Sequence, residues 1–284
     1  MKSLLKKALA DSVHNAKIWR LLNATLLRLT HFLERERQRN DNAPPPPAVN
    51  QIEAARKISP DRTVRHGVFQ GMKYLPEQEQ LGGSVLIPKL LGSYELELQP
   101  LLQRLQTRDY SEIVDVGSAE GFYAVGLGRL FPNSRVFAYD TNPEAVRLCR
   151  LLARLNGIET RLTTGPRCDA TALQNLPLTR RALVVSDCEG YEKHLFNADT
   201  VRKLAAHDVL IEVHDLIDIH TSSQLQAAFA NTHQLEIILA VDDIKKAQTY
   251  DYPELASFDL AQRKILLAEY RAAMMEWFYF SPRS

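Results

Sequence analysis

Acidic residues and a histidine stand at the ends of short apolar runs along this chain. Asp115 and Gly117 close the run Glu112–Val116, Asp140 follows Arg135–Tyr139, Asp187 follows Ala182–Ser186, and His214 and Asp215 follow Val209–Val213. Carboxylates and an imidazole gathered at one edge can orient a polar ligand, take a proton from a hydroxyl, or ligate a cation. Imidazole titrates near neutrality, which makes His214 the candidate proton acceptor. Asp187 is the candidate to orient a ligand or an acceptor group, with Glu212 beside them. Glu212 and His214 share one face of a strand while Val213 faces the other way. Asp187, Glu212, His214 and Asp215 also offer the oxygen and imidazole ligands suited to Mg or Mn, which would bind and acidify a hydroxyl. Structural duties are the alternatives. Asp115 and Asp187 can cap helices, Glu189 and Glu192 can be first-turn acids, and His214 can be a satisfied core histidine. Cys188 has no histidine fixed near it by sequence and reads as packing.

The segment Val114-Asp115-Val116-Gly117-Ser118-Ala119-Glu120-Gly121 puts a glycine turn between a strand and a helix. Its G-x-x-x-G spacing is neither the dinucleotide G-x-G-x-x-G nor a phosphate loop. Glu120 inside the turn would repel a pyrophosphate while tolerating an ammonium or sulfonium. Asp140, after the second strand, is placed to accept hydrogen bonds from a ribose diol. A ribose reader without a phosphate reader points to an adenosyl ligand that carries no phosphates.

Strands and helices alternate from residue 111 onward. The pattern predicts strands at Glu112–Val116, Arg135–Tyr139, Thr160–Thr164, Ala182–Ser186, Val209–Val213, Leu235–Ala240 and Lys264–Glu269, the last two open to being an antiparallel hairpin with a long connection. Helices are predicted over Phe122–Leu130 and from Asn142 and Pro143 to Asn156, with Gly157 as the stop. Leu96–Leu105 also reads as helical, with Pro100 near its first turn. This rhythm calls for a mostly parallel sheet between helices, whose strands' carboxyl ends carry the ligand. Residues 51–110 read as a substrate or lid region of strands, loops and one helix, with Met72, Lys73 and Tyr74 as lid candidates. Glu276, Trp277 and Arg283 lie near the end of the chain, where Trp277 reads as a core or dimer-contact residue.

The chain has 284 residues, with Lys+Arg 35 against Asp+Glu 34. That balance argues against a nucleic-acid binder. Cysteines 149, 168 and 188 lack any C-x-x-C spacing, which predicts a cytoplasmic protein without a disulfide framework. No apolar run reaches a bilayer span, and no secretory leader is predicted. Residues 1–42 form a candidate appendage of basic amphipathic helices, and nine Lys/Arg against three Asp/Glu give its first forty residues a net charge of +6. Peripheral membrane contact and a homodimer contact are both open for residues 1–40. A proline-rich linker at 43–50 separates them from the domain at 111–284 and its preceding region.

Asp115-x-Gly117-x-x-x-Gly121 resembles the first motif of class I S-adenosylmethionine-dependent methyltransferases. Asp140 matches that family's ribose acid, and Cys168-Asp169-Ala170 resembles its adenine-edge motif. Ser186-Asp187-Cys188-Glu189-Gly190-Tyr191-Glu192 and Ile211-Glu212-Val213-His214 resemble the Asp-x-Glu-Gly-x-Glu and Glu-x-His signatures of FkbM-like methyltransferases. The resemblance implies a seven-stranded Rossmann-like fold. It also implies S-adenosyl-L-methionine bound by Asp115, Gly117, Ala119, Gly121 and Phe122 of the turn, by Asp140 and Thr141, by Asp169 and Ala170, and by Asp187, with Tyr94 reaching over it. The activity implied is O-methylation of a hydroxyl on a small molecule or carbohydrate. Transfer to nitrogen or carbon is the enzymatic alternative, and an adenosyl-binding scaffold is the non-enzymatic one. The segment 1–110 lies outside the signature, as does Asp215 directly after His214.

Overall fold

The computed structural model describes residues 49–76, 79, 81 and 85–283. The appendage expected at 1–42, its membrane or dimer contacts and most of the linker at 43–50 lie outside the described residues. Seven strands form one sheet: β1 Glu112–Val116, β2 Arg135–Tyr139, β3 Leu162–Gly165, β4 Ala182–Ser186, β5 Asp208–Val213, β6 His233–Leu239 and β7 Glu276–Pro282. Their order is β3-β2-β1-β4-β5-β7-β6. Neighbours from β3 to β5 pair in parallel, and β7 runs antiparallel to both β5 and β6. A sheet in this order with one reversed strand is the Rossmann-like class I methyltransferase fold.

Strands β1, β4 and β5 are buried at every position, as their unbroken apolar runs require. Alternate residues feed separate cores on the two faces. Ile113, Leu183, Val185 and Leu210 enter one, and Val114, Val184, Val209 and Ile211 the other. The helix Phe122–Leu130 spans the expected residues. The helix Pro143–Leu155 begins where Asn142 Oδ1 accepts from the Glu144 N–H. No helix among the described residues is long and apolar enough to cross a membrane.

Two expectations about elements are corrected. Lys264–Glu269 is not a strand. Residues Leu260–Leu266 form a helix because Asp259 and Gln262 close a reciprocal capping box, and the last strand lies at Glu276–Pro282. It does pair antiparallel with β6 across a long connection. Among the described residues of the 51–98 region, helices Gln51–Ile58 and Leu86–Leu91 stand in place of the expected strands, and a bridge joins Thr63 to Lys73. Asn50 caps the first of these helices by accepting from the N–H groups of Ile52 and Glu53.

The edge at the strands' amino ends is clamped by Asp208. Its carboxylate is fully buried and accepts from Arg108 (2.5 Å), Arg181 (2.6 Å), Tyr110 (2.7 Å) and Tyr279 (2.7 Å). Burial alone would raise its pKa, yet the Arg181 and Arg108 hydrogen bonds outweigh it and hold the carboxyl below its ordinary value. Asp208→Ala strands two guanidinium groups and two phenols, and is expected to cost about 3 kcal/mol of stability. Urea unfolding checks the loss, while ligand binding at the opposite edge should be unchanged.

Candidate functional site

Gly117 has φ +82°, and a Cβ there would lie 1.6 Å from the backbone oxygen of Asp187. Only glycine lets the first turn press this closely on the end of β4. The N–H groups of Gly117 and Ser118 both donate to the Tyr139 carbonyl at 2.9 Å, and the Asp187 N–H donates to the Val116 carbonyl at 2.9 Å. The ends of β1, β2 and β4 are thereby tied together. Gly121, at φ +93°, lets the next helix start against Cys149. Asp140 Oδ2 accepts from the Ala119 N–H at 2.8 Å and Oδ1 from the Asn142 N–H at 2.7 Å, which fixes its carboxylate plane and leaves further lone pairs for a ligand.

A cavity of about 380 Å³ opens over this turn, and Gly117, Ala119, Asp140, Thr141 and Asp187 line it. Arg167, Cys168 and Tyr191 also line it, with the Arg167 guanidinium 5.2 Å from the centre of the Tyr191 ring. Asp169 and Ala170 do not. The Asp169 side chain accepts from the Ala172 N–H and caps the helix Ala170–Gln174. Gly121 and Phe122 stand behind the turn, where Phe122 packs edge-on against Phe69 and Tyr94. Asp115 is buried beneath the turn with Oδ2 unpartnered, and burial pushes its carboxyl up to about 7.

Glu120 does not face the cavity, contrary to its expected part in repelling a pyrophosphate. Its carboxylate turns inward and accepts from the Lys89 ammonium and the Tyr74 hydroxyl. Lys89 sits 4.8 Å from the centre of the Tyr94 ring. Burial would raise the Glu120 pKa, but the Lys89 charge dominates and holds it down at about 2. Tyr74 and Met72 are buried.

A second cavity, of about 360 Å³, meets the first at Asp187 and Glu189. His214 lies at its base, with Nδ1 2.6 Å from Glu192 Oε1. The other ring nitrogen, Nε2, faces Asp187 Oδ1 at 3.5 Å, Glu189 Oε2 at 3.5 Å and Glu212 Oε2 at 3.6 Å. Ligand atoms of Asp187, Glu212 and His214 all lie within 4.8 Å of one another. Asp215 does not join them, because Oδ1 accepts from the Ser222 N–H at 2.8 Å in the next helix. Tyr94 lines this cavity and not the first.

Arg271 braces the same floor. It pairs with Glu95 at 2.8 Å, with Glu269 at 3.0 Å, and with Glu212. Burial, reinforced by Glu212 and opposed by Arg271, pushes the Glu95 carboxyl up to about 8. Burial and the charge of Glu212 also push Asp187 well above the carboxylate range. For His214 burial pulls the imidazole pKa down, but the Glu192 hydrogen bond and the surrounding carboxylates outweigh it, so the net shift is upward. The sequence did not single out Arg271, because its partners Glu212 and Glu95 lie 59 and 176 residues away. Glu192 was visible as a first-turn acid and as the last residue of the Asp-x-Glu-Gly-x-Glu signature, but not as the partner of His214.

No family model matches the chain. Release factor glutamine methyltransferases from Deinococcus radiodurans and Moorella thermoacetica are each 32% identical to it over 80 residues. The match covers 28% of this chain and 28% of each relative, so it spans little more than a quarter of their length. The structure of geranyl diphosphate C-methyltransferase from Streptomyces coelicolor A3(2), in complex with Mg²⁺, geranyl diphosphate and S-adenosyl-L-homocysteine, is similar at 13% identity and a TM-score of 0.44, covering 84% of this chain and 100% of that one. TrmN from Thermus thermophilus is similar at 18% identity and a TM-score of 0.42, covering 65% and 48%. These likenesses concern the fold alone.

Gly117→Ala places a methyl against backbone that cannot yield, so it should abolish ligand binding in the first cavity or prevent folding, as calorimetry and circular dichroism would separate. Because the folded Glu120 pKa is depressed, its contribution to stability is present above the unfolded value of about 4.3 and disappears as pH falls through about 2. Thermal unfolding across that acidic window should therefore show a shallower pH slope for Glu120→Gln than for the wild type.

Proposed function

We propose that this protein is an S-adenosyl-L-methionine-dependent methyltransferase acting on a hydroxyl of a small molecule, in keeping with the FkbM-like signature at Asp187–Glu192 and Glu212–His214. The observation that carries this reading is the meeting of two cavities at Asp187 and Glu189, one below the candidate ribose acid and the other floored by His214. The residues fit the cofactor. Gly117 and Ala119 line the first cavity beside Asp140, and Asp187 Oδ1 is without a hydrogen-bond partner. When bound, S-adenosyl-L-methionine supplies an electrophilic methyl group on a sulfonium.

Asp140 would hold the ribose hydroxyls, and Asp187 would orient the methionine end. Glu192 fixes the His214 ring so that Nδ1–H donates to the carboxylate and Nε2 presents its lone pair to the second cavity. An acceptor hydroxyl seated there would give its proton to Nε2, and Glu192 would stabilise the resulting imidazolium. Holding the acceptor in line supplies the larger part of the rate, and the proton transfer typically about 10²- to 10⁴-fold.

A second reading is favoured by the closeness of Asp187, Glu212 and His214, whose ligand atoms suit one divalent cation such as Mg or Mn. Its charge would offset the crowded carboxylates and lower the pKa of the hydroxyl. The two readings assign Nε2 differently, as base or as ligand.

Calorimetry should show binding of S-adenosylhomocysteine and none of NAD. His214→Ala should lower methyl transfer to a hydroxyl acceptor by about 10²-fold or more while leaving S-adenosylhomocysteine affinity within about threefold. Unchanged turnover in both His214→Ala and Asp187→Asn would remove the catalytic assignment. Chelation with Mn repletion decides the second reading: turnover that falls and recovers supports the metal, and a constant rate excludes it.

A further inference from the structure

The second cavity has an unusual division between floor and mouth. Five carboxylates line it, from Glu95, Asp187, Glu189, Glu212 and Glu269, together with His214 and Arg271. Its mouth is apolar and open to solvent. Leu216, Ile217 and Tyr270 line it with 61%, 59% and 65% of their surfaces exposed. Ile219 and Met274, on the same two loops, are exposed as well.

These loops are built features. They leave the sheet side by side, because Val213 at the end of β5 pairs with Glu276 at the start of β7. The first is folded back by the N–H groups of Ile217 and Asp218 donating to the His214 carbonyl, and it is anchored by the Lys193–Asp218 ion pair. The second is held where the Glu269 N–H donates to Asp243 Oδ1 at 3.0 Å. Tyr270 takes a left-handed backbone (φ 55°), and its hydroxyl accepts from Gln51 at 3.1 Å. Exposed apolar side chains fixed in this way at a cavity mouth fit an apolar ligand body.

The floor decides the charge of that ligand. Glu269 is matched by Lys246 at 2.5 Å, whereas a neutral His214 hydrogen-bonds Glu192 without offsetting its charge. Among the residues lining the cavity Arg271 is the one Arg or Lys, set against the carboxylates of Glu95, Asp187, Glu189 and Glu212. An anion entering here meets net negative charge in a partly enclosed space, whereas a hydroxyl meets several acceptors. Deepening the methyl-transfer reading, on which it rests, we propose that the acceptor is an uncharged or cationic molecule with an apolar body, its reacting group on the acidic floor and its body between Leu216–Ile217 and Tyr270. Molecules with a carboxylate or phosphate beside the reacting group are refused.

Three probes of one shape test this on the full chain near neutral pH, with and without S-adenosylhomocysteine: 2-naphthol, 2-naphthylmethylamine and 2-naphthoate, followed by fluorescence. The naphthol and the amine should bind, and the naphthoate should bind roughly tenfold or more weakly, the equivalent of one unfavourable charge contact near a surface. Leu216→Asn and Tyr270→Asn should each weaken naphthol binding about fivefold or more while preserving S-adenosylhomocysteine affinity. Asparagine tolerates the left-handed backbone at position 270. Naphthoate binding as tightly as naphthol overturns the proposal, as do rim variants that bind naphthol like the wild type, or no naphthalene binding at all. Loss of this pattern with S-adenosylhomocysteine binding intact removes the acceptor class alone. The pattern without S-adenosylhomocysteine binding removes the methyl-transfer reading instead.

Discussion

The backbone contact between Gly117 and Asp187 sets the rest of the site. Two parallel strands can lie side by side in any α/β sheet, but here the turn after β1 touches the chain leaving β4, with no room for a side chain between them. That contact puts the mouth of the first cavity next to Asp187, which belongs to both cavities. The first cavity, which Asp140 lines, therefore reaches the second at Asp187. A displacement of about 1 Å in this contact would misalign two reacting groups, which is why the position is held by backbone hydrogen bonds to Tyr139 and Val116 rather than by side chains.

Electrostatic strain is concentrated on one side of that contact. Burial and the neighbouring Glu212 carboxylate raise the proton affinity of Glu95 and Asp187, and Arg271 bridges three acids. Such a cluster disfavours folding unless protons or a cation compensate it. The fold offsets this elsewhere. Asp208 at the opposite edge is satisfied by four donors, and Glu120 is neutralised by Lys89 within the packed region behind the turn. Charge is thus matched at these two places and crowded on the floor of the second cavity.

Local sequence signals revealed much of this arrangement and missed the rest for identifiable reasons. The central strands were legible because continuous apolar runs ending in Asp or His have few other uses, and the helix at 143–155 because Asn142, Pro143 and Gly157 punctuate it. Lys264–Glu269 misled because its apolar residues also fit a strand, and the capping box of Asp259 and Gln262 decided for helix. The aromatic run of β7 was the better strand, hidden by its position near the chain end. Of the site, Asp187, Glu212 and His214 were visible as strand-end residues. Asp215 looked equivalent to them but follows the bend of the chain away toward Ser222. Glu120 looked like part of the ligand surface because the sequence cannot show that Lys89 and Tyr74 wait behind it. Arg271 and Glu95 are joined only by tertiary structure.

The most direct measurement is a crystal structure of the protein with S-adenosylhomocysteine. The account predicts the ribose on Asp140, the adenine toward Cys168, and the sulfur at the junction of the two cavities beside Asp187. A ligand seated outside the cavity over Gly117, or a sulfur pointing away from His214, would contradict it.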